Sequence, residues 1–439
     1  MRRIDHRLGL VVVIGAFIAS LVAACDAGTE TPTRVNPSSA PSASASPAPS
    51  ATPSPATSPT HNQFVATGSM TMGRDSHTAT LLADGKVLIA GGETFHEARS
   101  AELYDPKTGT FAPTGSMVTG HVLGTATLLL DGRVLFVGGW DLDNGSDWNP
   151  WNGSNRIVSA SAELYDPKTG TFALTGSPAQ ARYYHTATRL LDGRVLIAGG
   201  ALGANDNPDA TATATAETYD PGTGKFAPAG SMTTPRWSHS ATLLKDGRVL
   251  MAGSWSDSSA ELYDPVKGSF SRTESMKNTP NIHMATLLRD GRVLIAGGGD
   301  PGGSISLAEI YDPGTGKFSP TGSMINNCNF IGPIGGQLAS APLLADGRVL
   351  VPDVIYDGSS GGGIGSAELY DPVTGTFTKG PTMSRYRSGF TETLLADGRV
   401  LFTGNQKPVY PMDFAPPTAS SSLAAEIEAD RSSAELYVP

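Results

Sequence analysis

An Asp-Gly step set between two short apolar runs recurs seven times, and this periodicity constrains the fold more than any other feature of the chain. The step falls at Asp84, Asp131, Asp192, Asp246, Asp290, Asp346 and Asp397, at intervals of 47, 61, 54, 44, 56 and 51 residues. Around the first stand His77-Thr78-Ala79-Thr80-Leu81-Leu82 before it and Val87-Leu88-Ile89-Ala90-Gly91-Gly92 after it. Then come Ala101-Glu102-Leu103-Tyr104-Asp105-Pro106, Phe111 and Thr114-Gly115-Ser116-Met117. A fixed core at variable spacing puts the insertions in loops and keeps the strands constant.

Each unit reads as four antiparallel strands. Asp-Gly supplies the positive-φ residues of a two-residue hairpin, and Val-Leu-Ile-Ala, apolar on both faces, is predicted to be buried between layers. The Tyr-Asp-Pro…Gly segment turns the third strand into the fourth, with proline presetting φ and glycine taking the left-handed exit. Such a unit cannot bury both faces alone, so units must stack, and closing them into a ring removes the open ends. The expected fold is therefore all-β, a seven-bladed β-propeller, and a monomer. The seventh unit breaks off at Ala434-Glu435-Leu436-Tyr437 without a fourth-strand aromatic, while Phe64 stands unclaimed upstream. Phe64, Phe111, Phe172, Phe226, Phe270, Phe318 and Phe377 match the seven turns, so the strand near Phe64 is predicted to close the last blade.

These motifs, with Arg-x-x-His starts at Arg74/His77, Arg182/His185 and Arg236/His239, resemble the kelch repeat family, and in particular bacterial propellers similar to the central domain of galactose oxidase. The resemblance covers residues 64–439 and implies the fold; one fold carries unrelated functions. It also implies that the histidines hydrogen-bond within or between blades.

The first residues carry Arg2, Arg3 and Arg7, an apolar run from Leu8 to Ala23, and then Ala24-Cys25. This reads as a signal peptide ending in a bacterial lipobox, with Cys25 the lipidated first residue of the mature chain. Residues 26–61 are rich in Pro, Ser, Ala and Thr. They read as a disordered linker whose extended reach, at ~3.1 Å per residue, is on the order of 100 Å. The propeller occupies residues 62–439, and the expected location is the outer side of the cell membrane, held only by the lipid. Residues 64–439 carry 27 Lys and Arg against 38 Asp and Glu, a net charge of −11, which disfavours nucleic acid and anionic membrane as partners. Cys328 is the second of two cysteines, so no intrachain disulfide braces the ring once Cys25 is lipidated.

Residues repeated in every unit serve the blade; recognition of an asymmetric ligand needs residues found in only some. The carboxylates from Glu102 to Glu435 and the basic residues from Lys86 to Arg399 that follow Asp-Gly repeat in all seven units. The basic residue is expected beside the carboxylate of its own Tyr-Asp-Pro turn, Arg133 with Asp166. The long variable loops lie after the double glycine and at the entry to each unit. They contain the binding candidates Trp140, Asp141, Asp143, Asp147, Trp148, Asn149, Trp151 and Asn152 in unit 2, Asn329 and Phe330 in unit 6, and Tyr410 and Phe414 in unit 7. Tryptophan beside Asn and Asp suits sugar rings, and equally suits packing of the loop onto the propeller. Asp141, Asp143 and Asp147 place oxygens in the manner of a Ca²⁺ loop but lack the distal bidentate Glu, so no cofactor is expected beyond that weak possibility. Trp237 and Trp255 in unit 4 serve packing or contact.

The reading that follows is a surface-anchored binding module recognising a glycan, a peptide or an envelope protein, with no catalytic residues assigned. The alternatives are a copper oxidase similar to galactose oxidase or another propeller enzyme, and a purely structural envelope component. Cys328 is the only thiol left for the oxidase's Tyr-Cys crosslink, and no further C-terminal domain follows to deliver its last His.

Overall fold

The computed structural model describes residues 61–92, 99–141, 157–203, 211–255, 257–278, 283–300, 303–304, 306–325, 341–354, 365–385, 387, 389–404 and 432–439. Residues 1–60, which hold the expected signal peptide, Cys25 and all but the last residue of the expected linker, lie outside them, as do Asp143, Asp147, Trp148, Asn149, Trp151, Asn152, Cys328, Asn329, Phe330, Tyr410 and Phe414.

The chain forms a seven-bladed, all-β propeller. Blade 1 is the sheet Thr78–Leu81, Val87–Ala90, Ala101–Asp105 and Thr110–Pro113, its strands paired antiparallel in chain order. Blades 2 to 5 repeat this plan from Thr125–Leu128, Thr186–Arg189, Ser240–Leu243 and Met284–Leu287 outward. In blade 6 three strands, Val349–Val354, Gly365–Asp371 and Thr376–Thr382, are described, and Leu343 bridges to Val349 where the inner strand belongs. Inner strands of successive blades lie side by side around the ring, including Thr391–Leu394 of blade 7 against Thr78–Leu81 of blade 1.

Closure occurs as the sequence predicts. Gln63–Ala66 pairs antiparallel with Ala434–Val438, with Phe64 opposite Tyr437, and completes blade 7. Phe64 packs on Phe402 at 5.3 Å and on Tyr437 at 5.6 Å, an aromatic cluster uniting the two ends of the propeller chain.

The second strand is the core of each blade. Val87, Leu88, Ile89 and Ala90 are all buried because one face meets the preceding blade and the other the following one. At the outer edge, the Thr67, Thr114 and Thr175 hydroxyls share hydrogen bonds with Tyr104, Tyr165 and Tyr219 of the next blade at 2.9–3.0 Å.

The Asp-Gly hairpin is one residue longer than expected. Leu82 N–H donates to Lys86 O and Gly85 N–H to Leu82 O, which leaves Ala83, Asp84 and Gly85 as a three-residue loop. Gly85 has a φ of 87°, whereas Asp84 is not in the left-handed region. The Asp84 carboxylate instead accepts the Lys86 N–H at 3.0 Å, fixing the exit from the turn.

Candidate functional site

The strand order gives the propeller two unlike faces. On the turn face lie the Asp-Gly and Tyr-Asp-Pro turns; on the loop face lie the connections after the double glycine and those between blades.

On the turn face Asp166 lies within electrostatic reach of Arg133, as expected, but the direct ion pair is made with another carboxylate. Arg133 pairs with Asp131 of its own hairpin at 2.7 Å, and its guanidinium reaches the Pro221 carbonyl of blade 3 at 3.5 Å. Arg194 likewise reaches Pro265, Arg248 Pro313, and Arg399 Pro106. The two-residue spacing from the Asp brings the carboxylate within bidentate reach, so the arginine is used locally and its far edge fastens the next blade. A cleft of about 490 Å³ also opens on this face, between Arg289, Asp290, Asp346, Arg348 and Asp371. Two of its acids hold partners, Asp290 with Arg292 and Asp346 with Arg348.

On the loop face the repeated residues form a buried floor. Arg74 donates to Gly91 O at 2.9 Å and pairs with Glu102 at 3.1 Å; Arg182, Arg236 and Arg387 do the same with Glu217, Glu261 and Glu435. His121, standing where blade 2 lacks the arginine, reproduces both contacts, with Nδ1 on Gly138 O at 2.6 Å and Nε2 on Glu163 at 2.8 Å. The carboxylates also accept backbone N–H groups of the incoming connection, as Glu102 does from Thr71 and Glu261 from Thr233. Four further histidines bind across blades as expected: Nε2 of His77 meets Thr391 and Thr403, His185 meets Thr125, His239 meets Thr186, and His283 meets Ser240, all at 2.8–3.0 Å. Burial, reinforced by the charge of Arg182, pushes His185 down to about 3; burial and the neighbouring arginine likewise hold His77 and His239 well below the usual imidazole value. These rings are neutral spacers. The double glycine allows their close approach, since a Cβ on Gly92 would lie 2.3 Å from Asp75 O and 2.7 Å from His77 Cβ.

Above this floor the face is asymmetric. Four residues preceding the inner strands, Ser76, Leu123, Tyr184 and Ser238, adopt φ of 51–57°, a left-handed conformation that costs a bulky residue energy. Hydrogen bonds offset the strain: Ser238 N–H donates to Tyr184 O at 3.2 Å, Tyr184 N–H to Leu123 O at 3.4 Å, and Ser76 N–H to Gly389 O at 2.9 Å. Across blades 2 to 4 this ring of backbone carries a continuous run of aromatics. Trp140 packs on Tyr183 at 4.9 Å, Tyr183 on Tyr184 at 5.1 Å, Tyr184 on Trp237 at 5.5 Å, and Trp237 on Trp255 at 4.9 Å. The last pair is stacked within 15° of parallel. Trp140 and Trp237 are buried; Trp255 is 37% exposed.

Trp140, one of the candidates from unit 2, therefore anchors this run, bonded through its backbone to Val122. Asp141 accepts from Gly120 N–H at 3.1 Å and lies 3.5 Å from the Arg99 guanidinium of blade 1, so it links two blades. Tyr183 and Tyr184 do not figure among the sequence candidates, although they occupy the variable pair inside Arg-x-x-His, where blade 1 has Asp75-Ser76. Glu392 is also new: it stands where blades 1 to 5 have Ala79, Ala126, Ala187, Ala241 and Ala285. Part of the residue reaches solvent, yet both carboxylate oxygens are sealed and without a hydrogen-bond partner, and burial pushes its acid well above the usual range. No three His, Cys, Asp or Glu side chains converge on a metal-binding geometry among the described residues.

No family model and no curated protein matches the chain. Solved structures do. A fungal alcohol oxidase of the AA5 family, in complex with copper, superposes with a TM-score of 0.61 at 17% identity, covering 86% of this chain and 75% of that one. The structure of YjhT superposes with a TM-score of 0.51 at 12% identity, over 71% of this chain and 98% of that one. The likeness is one of fold, and the class it supports is that of the fold: a seven-bladed β-propeller.

Proposed function

We propose that this protein is a binding propeller, displayed on the outer side of a membrane through a lipid on Cys25 and the 26–61 linker, that takes a glycan, peptide or envelope protein on its loop face. The observation that carries the reading is the aromatic run ending in exposed Trp255, confined to blades 2–4 above a floor whose charged groups are paired within the fold. Rigid aromatic surface beside polar groups is what a ligand site needs, and repeated structural residues do not provide it. An oxidase would need copper ligands; His77, His185, His239 and His283 are buried on neighbouring hydroxyls and His121 on Glu163.

Full-length protein applied to glycan and peptide arrays should show saturable binding that weakens in Tyr184→Ala and persists in the turn-face variant Val266→Ala. Binding lost in Val266→Ala but kept in Tyr184→Ala would contradict the reading, as would no binding on either array. Anchoring is tested separately: metabolic labelling with a fatty acid should mark the wild type and not Cys25→Ala.

A further inference from the structure

Blade 4 departs from its neighbours on the loop face in one respect. In blades 2 and 3, residues 138–161 and 199–214 separate the second and third strands, whereas in blade 4 Val249–Ser254 runs into Asp257–Asp264 through a two-residue hairpin. Ser254 and Asp257 are paired in register, with Trp255 directly after the end of the second strand. The 44-residue interval, the shortest of the six, records this short connection. By the bounds of the described strands it is the shortest of the connections between second and third strands, and it carries the exposed tryptophan.

Trp255 is held rigidly there. One face of its indole lies against Trp237, and Trp237 is clamped in turn: its N–H donates to the Ser254 hydroxyl, which donates back to the Trp237 carbonyl, both at 3.2 Å. Tyr184 closes the far side of Trp237 at 5.5 Å. At the foot of the hairpin the Asp257 carboxylate accepts the Ser259 N–H at 2.8 Å and the Ser259 hydroxyl at 2.6 Å. It lies 3.6 Å from the buried Arg236 guanidinium and is one-third exposed, at 33%. A flat, preorganised apolar surface thus adjoins a carboxylate whose charge is already met and whose remaining lone pairs face water.

We propose that this ledge of blade 4 seats a pyranose ring, the sugar's C–H face lying on the open side of Trp255 and a hydroxyl donating to Asp257. The proposal rests on the loop-face reading and names its ligand class. Stacking on an aromatic face needs no charge on the ligand, and a hydroxyl donor suits an acceptor that Arg236 already balances. A cationic side chain could also lie on an indole, but it would enter beside the Arg236 charge.

The test is titration of full-length protein with soluble pyranosides and oligosaccharides, and separately with an oligoarginine peptide, followed by tryptophan emission and calorimetry. Sugar should shift the emission and bind saturably; Trp255→Ala should weaken binding about ten-fold or more, and Trp255→Phe less. Melting curves establish that the variants remain folded. Sugars that leave both signals unchanged, or that bind Trp255→Ala as tightly as wild type, overturn the proposal. A Trp255-dependent signal from the peptide alone also overturns it while leaving the loop-face reading intact; only the array result above, lost on the turn face or absent altogether, contradicts that broader reading.

Discussion

The two faces of the propeller are built from the same repeats and use them differently. On the turn face each arginine lies at the surface, paired with an aspartate two residues away, and the pattern varies little from blade to blade. On the loop face Arg74, Arg182, Arg236 and Arg387 are buried against glutamates, and upon that floor sit residues without counterparts among the other described blades: the aromatic run of blades 2–4 and Glu392 of blade 7. Repetition joins blades; its interruptions are what a ligand can read.

Several experiments break or sharpen this contrast. The largest effect belongs to the premise of both faces, the closed ring. Deleting residues 64–70 removes the strand paired with Ala434–Val438 and exposes the Phe402 and Tyr437 cluster, so cooperative thermal unfolding should be lost. An unchanged melting curve would refute closure.

Next comes a matched pair within blade 4. Arg236→Ala leaves Glu261 buried without its ion-pair partner, held only by backbone N–H groups of Thr233 and Thr234, and should cost about 3–5 kcal/mol in denaturant unfolding. Arg248→Ala removes a guanidinium that is 34% exposed beside an aspartate that is 46% exposed, and should cost under about 1 kcal/mol. Equal losses would erase the distinction between the faces.

The smallest effects are in pH. His77, His185 and His239 are neutral in the fold with depressed values, so the unfolded chain binds protons that the native one does not, and stability should fall as pH drops below about 6.5. Glu392 has the opposite sign: its raised value means the native state keeps a proton the unfolded chain loses, so its contribution declines as pH rises above about 4.3. Glu392→Ala, the residue of blades 1 to 5, should raise the melting temperature at neutral pH and remove that decline; a parallel pH profile would show that Glu392 is ionised or solvated in the fold.

Architecture was legible because period, turn chemistry and the count of aromatics all report on backbone geometry. Closure at Phe64 follows from that pattern; the blade-to-blade histidines follow instead from the resemblance to a known repeat. Side-chain partners across blades were less so. The pairing of Arg133 with Asp131, and its reach to Pro221, depends on how adjacent sheets are staggered, which no single repeat encodes. Arg387 takes the place of the Arg-x-x-His arginine in blade 7 but is followed by Phe390 in the histidine position, which hid the match. Tyr184 escaped for a related reason: it lies within a repeated motif, and its role comes from contacts with Leu123 and Trp237 of two other blades. Aligning the repeats column by column would have exposed both Tyr184 and Glu392 as departures.

The contrast between faces is tested most directly by hydrogen exchange of the full-length protein with and without a ligand taken from the arrays. Protection should gather in residues 182–185, 199–203, 236–240 and 252–259 on the loop face. Protection centred instead on the turns at 130–133, 191–194, 264–268 and 371–375 would contradict it.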